Sequence, residues 1–309
     1  MQRKIKVSSA QKRSIESCYE EFLSACSARG LSEKTISTYR SHLRCISKHL
    51  DITMPLAELS RSNVDTMISS MRLVGLANNS ISSYVRAFKA FLSWANGANY
   101  TTLSIPSFRQ KETVKETYSD EELKLLLARP DKNSSFCELR NWIIVQFLLN
   151  CGCRSSTIRN IQNRDVDLLH NQVVFRHTKT GKLQSIPLCS TLERNLRGYM
   201  NVRMGEPTDY LFCDEYGQML SENALKYAIR RYNQSRSVSK TSLHMFRHTF
   251  ARKYLMDCGG NAFELQKLLG HSTLEMTKHY CTIFNSDLSR DYDKRSPLEQ
   301  MAALRRIKK

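Results

Sequence analysis

The chain has 309 residues, enough for two domains at roughly 100–200 residues each. Its apolar fraction of 41% can build real cores, and no apolar run approaches the roughly 18 residues of a membrane span. With 47 Lys and Arg against 29 Asp and Glu, the formal net charge is +18, which points to a polyanionic partner.

The excess is spread along the chain: residues 1–105 carry 14 Lys/Arg and 7 Asp/Glu. The N-terminus, Met1-Gln2-Arg3-Lys4-Ile5-Lys6, is basic but lacks the apolar region of a secretory signal, so a soluble, cytoplasmic protein is expected. None of the ten cysteines forms a Cys-x-x-Cys pair, and no Cys/His cluster has zinc spacing. Several sit in apolar stretches, where free Cys behaves as a small hydrophobe. A reducing compartment, no disulfides, no metal and no cofactor are the expectation.

The first hundred residues read as helices with short breaks. Residues 9–29 carry Ile15, Cys18, Tyr19, Phe22 and Leu23 at helical spacing, and Gly30 stops the run. Ser32 can cap a second helix, 33–49, with Ile36, Tyr39, Leu43 and Ile46 on one stripe. A third helix fits 61–73 and a fourth 79–96, the latter with Ile81, Tyr84, Phe88 and Leu92. Arg40, Arg44 and Lys48 fall at i, i+4 and i+8 of the second helix, and Arg86 and Lys89 lie on the fourth. These are candidate phosphate contacts, with a solvated helix face as the alternative.

Residues 97–117 lack clear periodicity and end polar, and the linker is placed at 106–117. Ser119-Asp120-Glu121-Glu122 matches a capping box and opens a second domain, 118–290. Inside it a long apolar helix, about 137–151, ends at Gly152, and a short helix follows from Arg154 to Ile161. Strand-like Gln172–Phe175 and Gln184–Leu188 flank the turn Thr178-Lys179-Thr180-Gly181-Lys182, a β-hairpin with a basic tip. Helices resume at about 190–203, 221–235, 243–258, 261–269 and 273–280. The expected class is mainly α with one small sheet.

In the last third, His244 and Arg247 are three apart and share a helix face. Leu269-Gly270 ends a helix and projects His271, and Tyr280 follows nine residues later. Each feature alone is weak. Together they set a tyrosine among cationic phosphate binders, where it can attack a phosphodiester and hold it covalently.

With Arg154 after Cys151-Gly152-Cys153 and Lys179 on the hairpin tip, the ordered set Arg154, Lys179, His244, Arg247, His271, Tyr280 resembles the tyrosine recombinase (phage-type integrase) family. The resemblance covers essentially the whole chain. It implies an N-terminal four-helix, SAM-like core-binding domain (1–105) and a mixed, mostly helical catalytic domain. The two would clamp double-stranded DNA at a specific site. Where the family often has an acidic residue, three after the first arginine, this chain has Thr157. That questions how Arg154 is held. Lys182, three residues from Lys179, stays open as the hairpin lysine.

The chemistry that the resemblance implies is explicit. A phosphodiester attacked by oxygen gains negative charge on its non-bridging oxygens, which two arginines can grip in a fork. A free tyrosine has a pKa of about 10 and must lose its proton during attack. The resemblance gives that proton to His244, a phosphate hydrogen bond to His271, and the leaving 5′-oxygen's proton to Lys179. His177, His248 and His279, each beside a candidate residue, read as solvated or hydrogen-bonded structural histidines.

Ser296-Pro297-Leu298-Glu299 is a helix start, and the tail 291–309 is expected to dock on a neighbouring protomer, as family tails often do, with folding back on its own domain as the alternative. No extra arm-binding domain is expected before residue 9. The implied partners are specific recombination sites, further copies of the chain (dimer to tetramer on DNA) and, in some systems, an accessory directionality factor, in a nucleoid-associated setting. Integration and excision of a mobile element is the leading role. Chromosome-dimer resolution, DNA inversion, a type IB topoisomerase-like activity and a catalytically silent regulator are the alternatives.

Overall fold

The computed structural model describes residues 13–106, 115–178, 181–278, 280, 292, 296, 298–299 and 301. The chain divides into two compact units, 1–113 and 114–309. Among the described residues no helix is long and apolar enough to cross a membrane, and every described cysteine is a free thiol.

The first unit holds four helices: α1 (Ile15–Ala28), α2 (Glu33–Ile46), α3 (Arg61–Leu73) and α4 (Asn78–Gly97). Three of them start on serine caps. Ser14, Ser32 and Ser60 accept from the backbone N–H groups of Ser17, Thr35 and Asn63, and such a cap is worth about 1 kcal/mol. The apolar stripes meet in one core around Tyr19, Phe22, Leu43, Phe88, Phe91 and Leu92. Tyr19 and Phe91 rings lie 4.9 Å apart. α1 begins at Ile15 rather than residue 9, because Ser14 is extended and caps it; residues 9–12 lie outside the described residues.

α2 ends three residues before its expected limit. The N–H groups of His49 and Leu50 both turn back to Ile46 O, at 2.9 and 3.0 Å, closing the helix in a turn. Lys48 therefore lies beyond the helix, and the basic stripe of α2 is Arg40 and Arg44 alone.

The second unit is built around α6 (Phe136–Cys151). Ile143, Ile144, Val145, Phe147 and Leu148 are all fully buried, so this stretch is buried on successive faces, as a central core helix is, and Arg140, Asn141 and Gln146 are buried with it. Packed on it are α5 (Asp120–Leu127), α8 (Ser190–Arg203), α9 (Glu222–Ser235) and α10 (Leu243–Met256). The expected capping box opens α5: Ser119 N donates to Glu122 Oε2 at 2.8 Å, and Glu122 N donates to Ser119 Oγ at 3.2 Å.

Between α7 (Ser155–Arg159) and α8 runs an antiparallel sheet of three strands in sequence order. β1 is Val166–Asp167, β2 Gln172–Phe175 and β3 Gln184–Pro187. The register pairs Val173 with Ile186 and Phe175 with Gln184. Val173, Phe175 and Ile186 point into the core, the period-2 pattern of a half-buried sheet. β1 was not foreseen. At two residues it shows no alternation, and Asp167 spends its side chain on the following turn, accepting from the N–H groups of Leu169 and His170.

α11 (Ala262–Leu269) and α12 (Glu275–Lys278) complete the unit. Of the expected tail helix only Ser296, Leu298, Glu299 and Met301 are described, and Leu298 and Met301 are exposed. The rest of the tail lies outside the described residues.

Candidate active site

Three chain turns converge at this site: the end of α6, the middle of α10 and the end of α11. α6 stops at Gly152, whose φ of 57° is left-handed. A Cβ there would collide with the Phe250 ring and sit 2.9 Å from Leu269 Cδ2. Glycine thus allows α6, α10 and α11 to approach closely. Two residues later Arg154 is the N-cap of α7.

Arg247, on α10, is 5% exposed. Its Nη1 donates to Gly152 O at 2.8 Å, and its Nη2 donates to Leu269 O at 3.0 Å. Arg154 Nη1 reaches the same Leu269 oxygen at 3.5 Å. Leu269 is the last residue of α11, and Gly270 caps that helix in the left-handed conformation. The carbonyl ends of a helix carry partial negative charge, which suits two cations. Neither arginine has a carboxylate partner among the described residues. Burial, then the nearby charge of Arg154, lowers the Arg247 pKa. Thr157 is buried in α7 and supplies no charge to Arg154.

Arg247 Nη2 also lies 2.6 Å from His271 Nε2. A guanidinium only donates, so Nε2 must accept, and the ring proton sits on Nδ1. Nδ1 lies 2.8 Å from Thr277 Oγ1 and donates to it. Burial first, then the charges of Arg247 and Arg154, pushes His271 down to about 4. The expectation that His271 donates to phosphate therefore needs qualification: in this geometry its Nε2 is an acceptor, occupied by Arg247.

Tyr280 packs against the Phe250, Leu255, Leu265 and Leu269 cluster. Its ring is parallel to that of His271, at 9° and 6.3 Å between centroids. Its hydroxyl lies 3.0 Å from His248 Nδ1 and within interaction range of Arg247. Burial, then the charges of Lys115, His244 and Arg247, pushes His248 down to about 4. His244 sits one turn earlier on α10 and is solvent-exposed, so its desolvation is partial. That desolvation, followed by the charges of Arg247, Lys226 and Arg154, lowers its pKa.

Five of the six sequence candidates, Arg154, His244, Arg247, His271 and Tyr280, thus come together. Lys179 lies outside the described residues, as does His279. Lys182 is exposed on the hairpin, where Thr178 Oγ1 donates to its carbonyl at 2.7 Å. His177 is exposed, as a solvated histidine should be. His248 does not fit the bystander reading: it is hydrogen-bonded, but to the candidate nucleophile itself. The available signal was its i+4 spacing from His244, which puts both on one face.

Gln184 was also missed. At the start of β3 its Nε2 donates to Lys267 O and Leu268 O, at 2.5 and 2.9 Å, tying the hairpin base to the end of α11. In the first unit Arg40, Arg44, Lys48 and Arg86 are exposed and Lys89 is half-buried. Arg40 Nη2 pairs with Glu20 Oε2 at 3.5 Å.

The chain matches the family model for the phage integrase family over residues 116–286, and that for the phage integrase N-terminal SAM-like domain over residues 19–99. It is 26% identical over 285 residues to the tyrosine recombinase XerA of Thermococcus kodakarensis, covering 91% of this chain and 96% of that one. It is also 26% identical over 300 residues to the tyrosine recombinase XerD of Staphylococcus haemolyticus, covering 92% and 99%. A solved structure of the Tn1549 transposon integrase in complex with transposon right end DNA gives a TM-score of 0.73 at 18% identity, over 92% of this chain and 99% of that chain. A lambda integrase dimer bound to a COC′ core site gives 0.68 at 17% identity, over 85% and 97%. The structural likenesses speak for the fold, and the family-model matches span most of both units. The chain belongs to the phage integrase family, that of the tyrosine recombinases.

Proposed function

We propose that this chain is a site-specific DNA recombinase that cuts and rejoins DNA through a 3′-phosphotyrosine on Tyr280. The observation that carries this reading is the convergence of Arg154 and Arg247 on one carbonyl beside the Tyr280 hydroxyl, with no carboxylate partner among the described residues. A phosphate seated there replaces Leu269 O as the arginines' acceptor and takes two charge-assisted contacts. Charge that builds on the phosphoryl oxygens in the transition state meets cations already in place.

His244, close to both arginines, lines the same phosphate. When Arg247 turns to the phosphate, His271 Nε2 is released, and on taking up a proton it donates to a phosphate oxygen while Nδ1–H stays on Thr277. The hairpin lysine, Lys179 with Lys182 as alternative, supplies a proton to the leaving 5′-oxygen. The phosphotyrosine link conserves the energy of the broken bond, so ATP does not enter the balance. Arg40, Arg44, Lys48, Arg86 and Lys89 are proposed contacts to the DNA backbone. Copies of the chain are proposed to act as dimers and tetramers on DNA, as the lambda integrase does in the solved complexes.

For the biological role, integration and excision of a mobile element is the first reading, supported by the fold shared with the Tn1549 transposon integrase. Chromosome-dimer resolution is the second, supported by likeness to XerA and XerD along nine-tenths of the chain. A two-site plasmid assay separates them. An integrase joins two sites of unlike flanks on separate molecules. A resolvase excises between two copies of one site.

A further inference from the structure

Among the described residues Tyr280 has two imidazole neighbours, His271 and His248, and they differ in what they can do. Both His271 nitrogens are engaged, Nε2 by Arg247 at 2.6 Å and Nδ1 by Thr277 at 2.8 Å. Its ring stacks parallel to that of Tyr280, 6.3 Å between centroids, and its nitrogens contact Arg247 and Thr277 rather than the phenol. His248 Nδ1 faces the Tyr280 hydroxyl at 3.0 Å. His244, the residue that the family resemblance assigns to this proton, lies one turn of α10 away from His248.

We propose that His248 accepts the Tyr280 hydroxyl proton as the tyrosine attacks the scissile phosphate, and returns it on rejoining. The proposal rests on the reading of Tyr280 as nucleophile. Three further observations support it. His248 is carried on α10 between buried Arg247 and Thr249, so the helix that places a phosphate clamp also places the base. The Tyr280 and His248 rings are 5.5 Å apart and tilted by 44°, which keeps the hydroxyl near the imidazole edge. Burial and neighbouring cations keep His248 neutral, so its lone pair is available near neutral pH.

The step balances. The Tyr280 O–H bond breaks, its proton goes to His248 Nδ1, and a Tyr280 O–P bond forms. The bond from phosphorus to the 5′-oxygen breaks, and that oxygen takes a proton from the hairpin lysine. On rejoining, a 5′-hydroxyl attacks phosphorus, and the phenolate oxygen leaves with the proton held by His248. Seating a phosphate beside Arg247 offsets part of the positive charge that opposes protonation of His248, so the base strengthens when substrate is bound.

The test measures covalent adduct formation in a single turnover. The probe is a nicked suicide duplex built on the sequence that the full-length Tyr280→Phe protein selects from a randomised pool. His248→Gln should bind this duplex as the parent does but form adduct about 10²-fold more slowly, the usual scale for general base catalysis. Placing 3,5-difluorotyrosine at position 280 lowers the phenol pKa and lessens the need for a base. It should shrink the His248→Gln defect to less than about tenfold while leaving the His244→Gln defect in place. A His248→Gln rate within about threefold of the parent overturns the proposal, as does a defect that the fluorinated tyrosine leaves unchanged. If the parent itself forms no adduct, the reading of the whole site falls, and the role of His248 with it. Parent adduct with an undiminished His248→Gln rate removes His248 alone.

Discussion

Arg154 and Arg247, 93 positions apart in the chain, aim guanidinium nitrogens at a single oxygen, the main-chain carbonyl of Leu269, at 3.5 and 3.0 Å. Two like charges brought together with no carboxylate partner among the described residues are a poor device for stability and a good one for binding an anion. Arg154→Lys and Arg247→Lys each keep the charge but lose the fork. Each should slow adduct formation by about 10²-fold or more, the scale for losing one preorganised donor. Gel-shift affinity for a selected duplex should change far less. Equal losses of binding and cleavage would instead make the arginines simple backbone contacts.

Gly152 links the fold to this clamp. Its carbonyl holds Arg247, and its missing side chain lets Phe250 and Leu269 approach. Gly152→Ala adds left-handed strain of about 1–2 kcal/mol and overpacking of about 1–3 kcal/mol. A Tm lowered by several degrees, with adduct formation impaired beyond what the melting curve explains, is the expected result of calorimetry and cleavage assays.

His248 and His271 are both held neutral, each near 4 against an ordinary value of about 6.5. Between those values the unfolded chain binds more protons than the folded one, so stability rises with pH through that window. Urea midpoints should therefore fall steadily as pH drops from about 7 towards 4. His248→Gln and His271→Gln should each flatten part of that slope. A slope that neither substitution alters would assign the pH dependence to other groups.

The tautomer of His271 is fixed by its partners, with the proton on Nδ1 facing Thr277 and Nε2 facing Arg247. Nitrogen-15 shifts of the imidazole should report a neutral ring with protonated Nδ1. Thr277→Val removes the acceptor and should shift the ring towards a mixture of tautomers. An Nε2-protonated ring in the parent would break the proposed link between Arg247 and His271.

Much of this was legible in the sequence where local signals agree. α3 and α8 were foreseen to the residue, and α3 opens on the capping box of Ser60 and Asn63. α2 was overextended by three residues past Ile46, the last residue of its apolar stripe, because the backbone turn there leaves no mark in the side-chain pattern. β1 was invisible at two residues, its pairing set by Val173 and Gln172 across the turn. The five described site candidates were readable as an ordered set. Their mutual arrangement was not, because it depends on contacts between residues far apart in sequence. His248 is the clearest case: its partner lies 32 residues downstream, and only the packing of Tyr280 against the Phe250 cluster brings them together.

The most direct measurement is the covalent adduct itself. The full chain is incubated without ATP with a nicked suicide duplex built on its selected site, and the products are run on a denaturing gel. The parent should shift the labelled strand into a protein-linked band through its 3′ phosphate, and Tyr280→Phe should bind the same duplex but leave no such band. A parent that binds without forming the band, or a band that survives Tyr280→Phe, would contradict the assignment of Tyr280 as nucleophile.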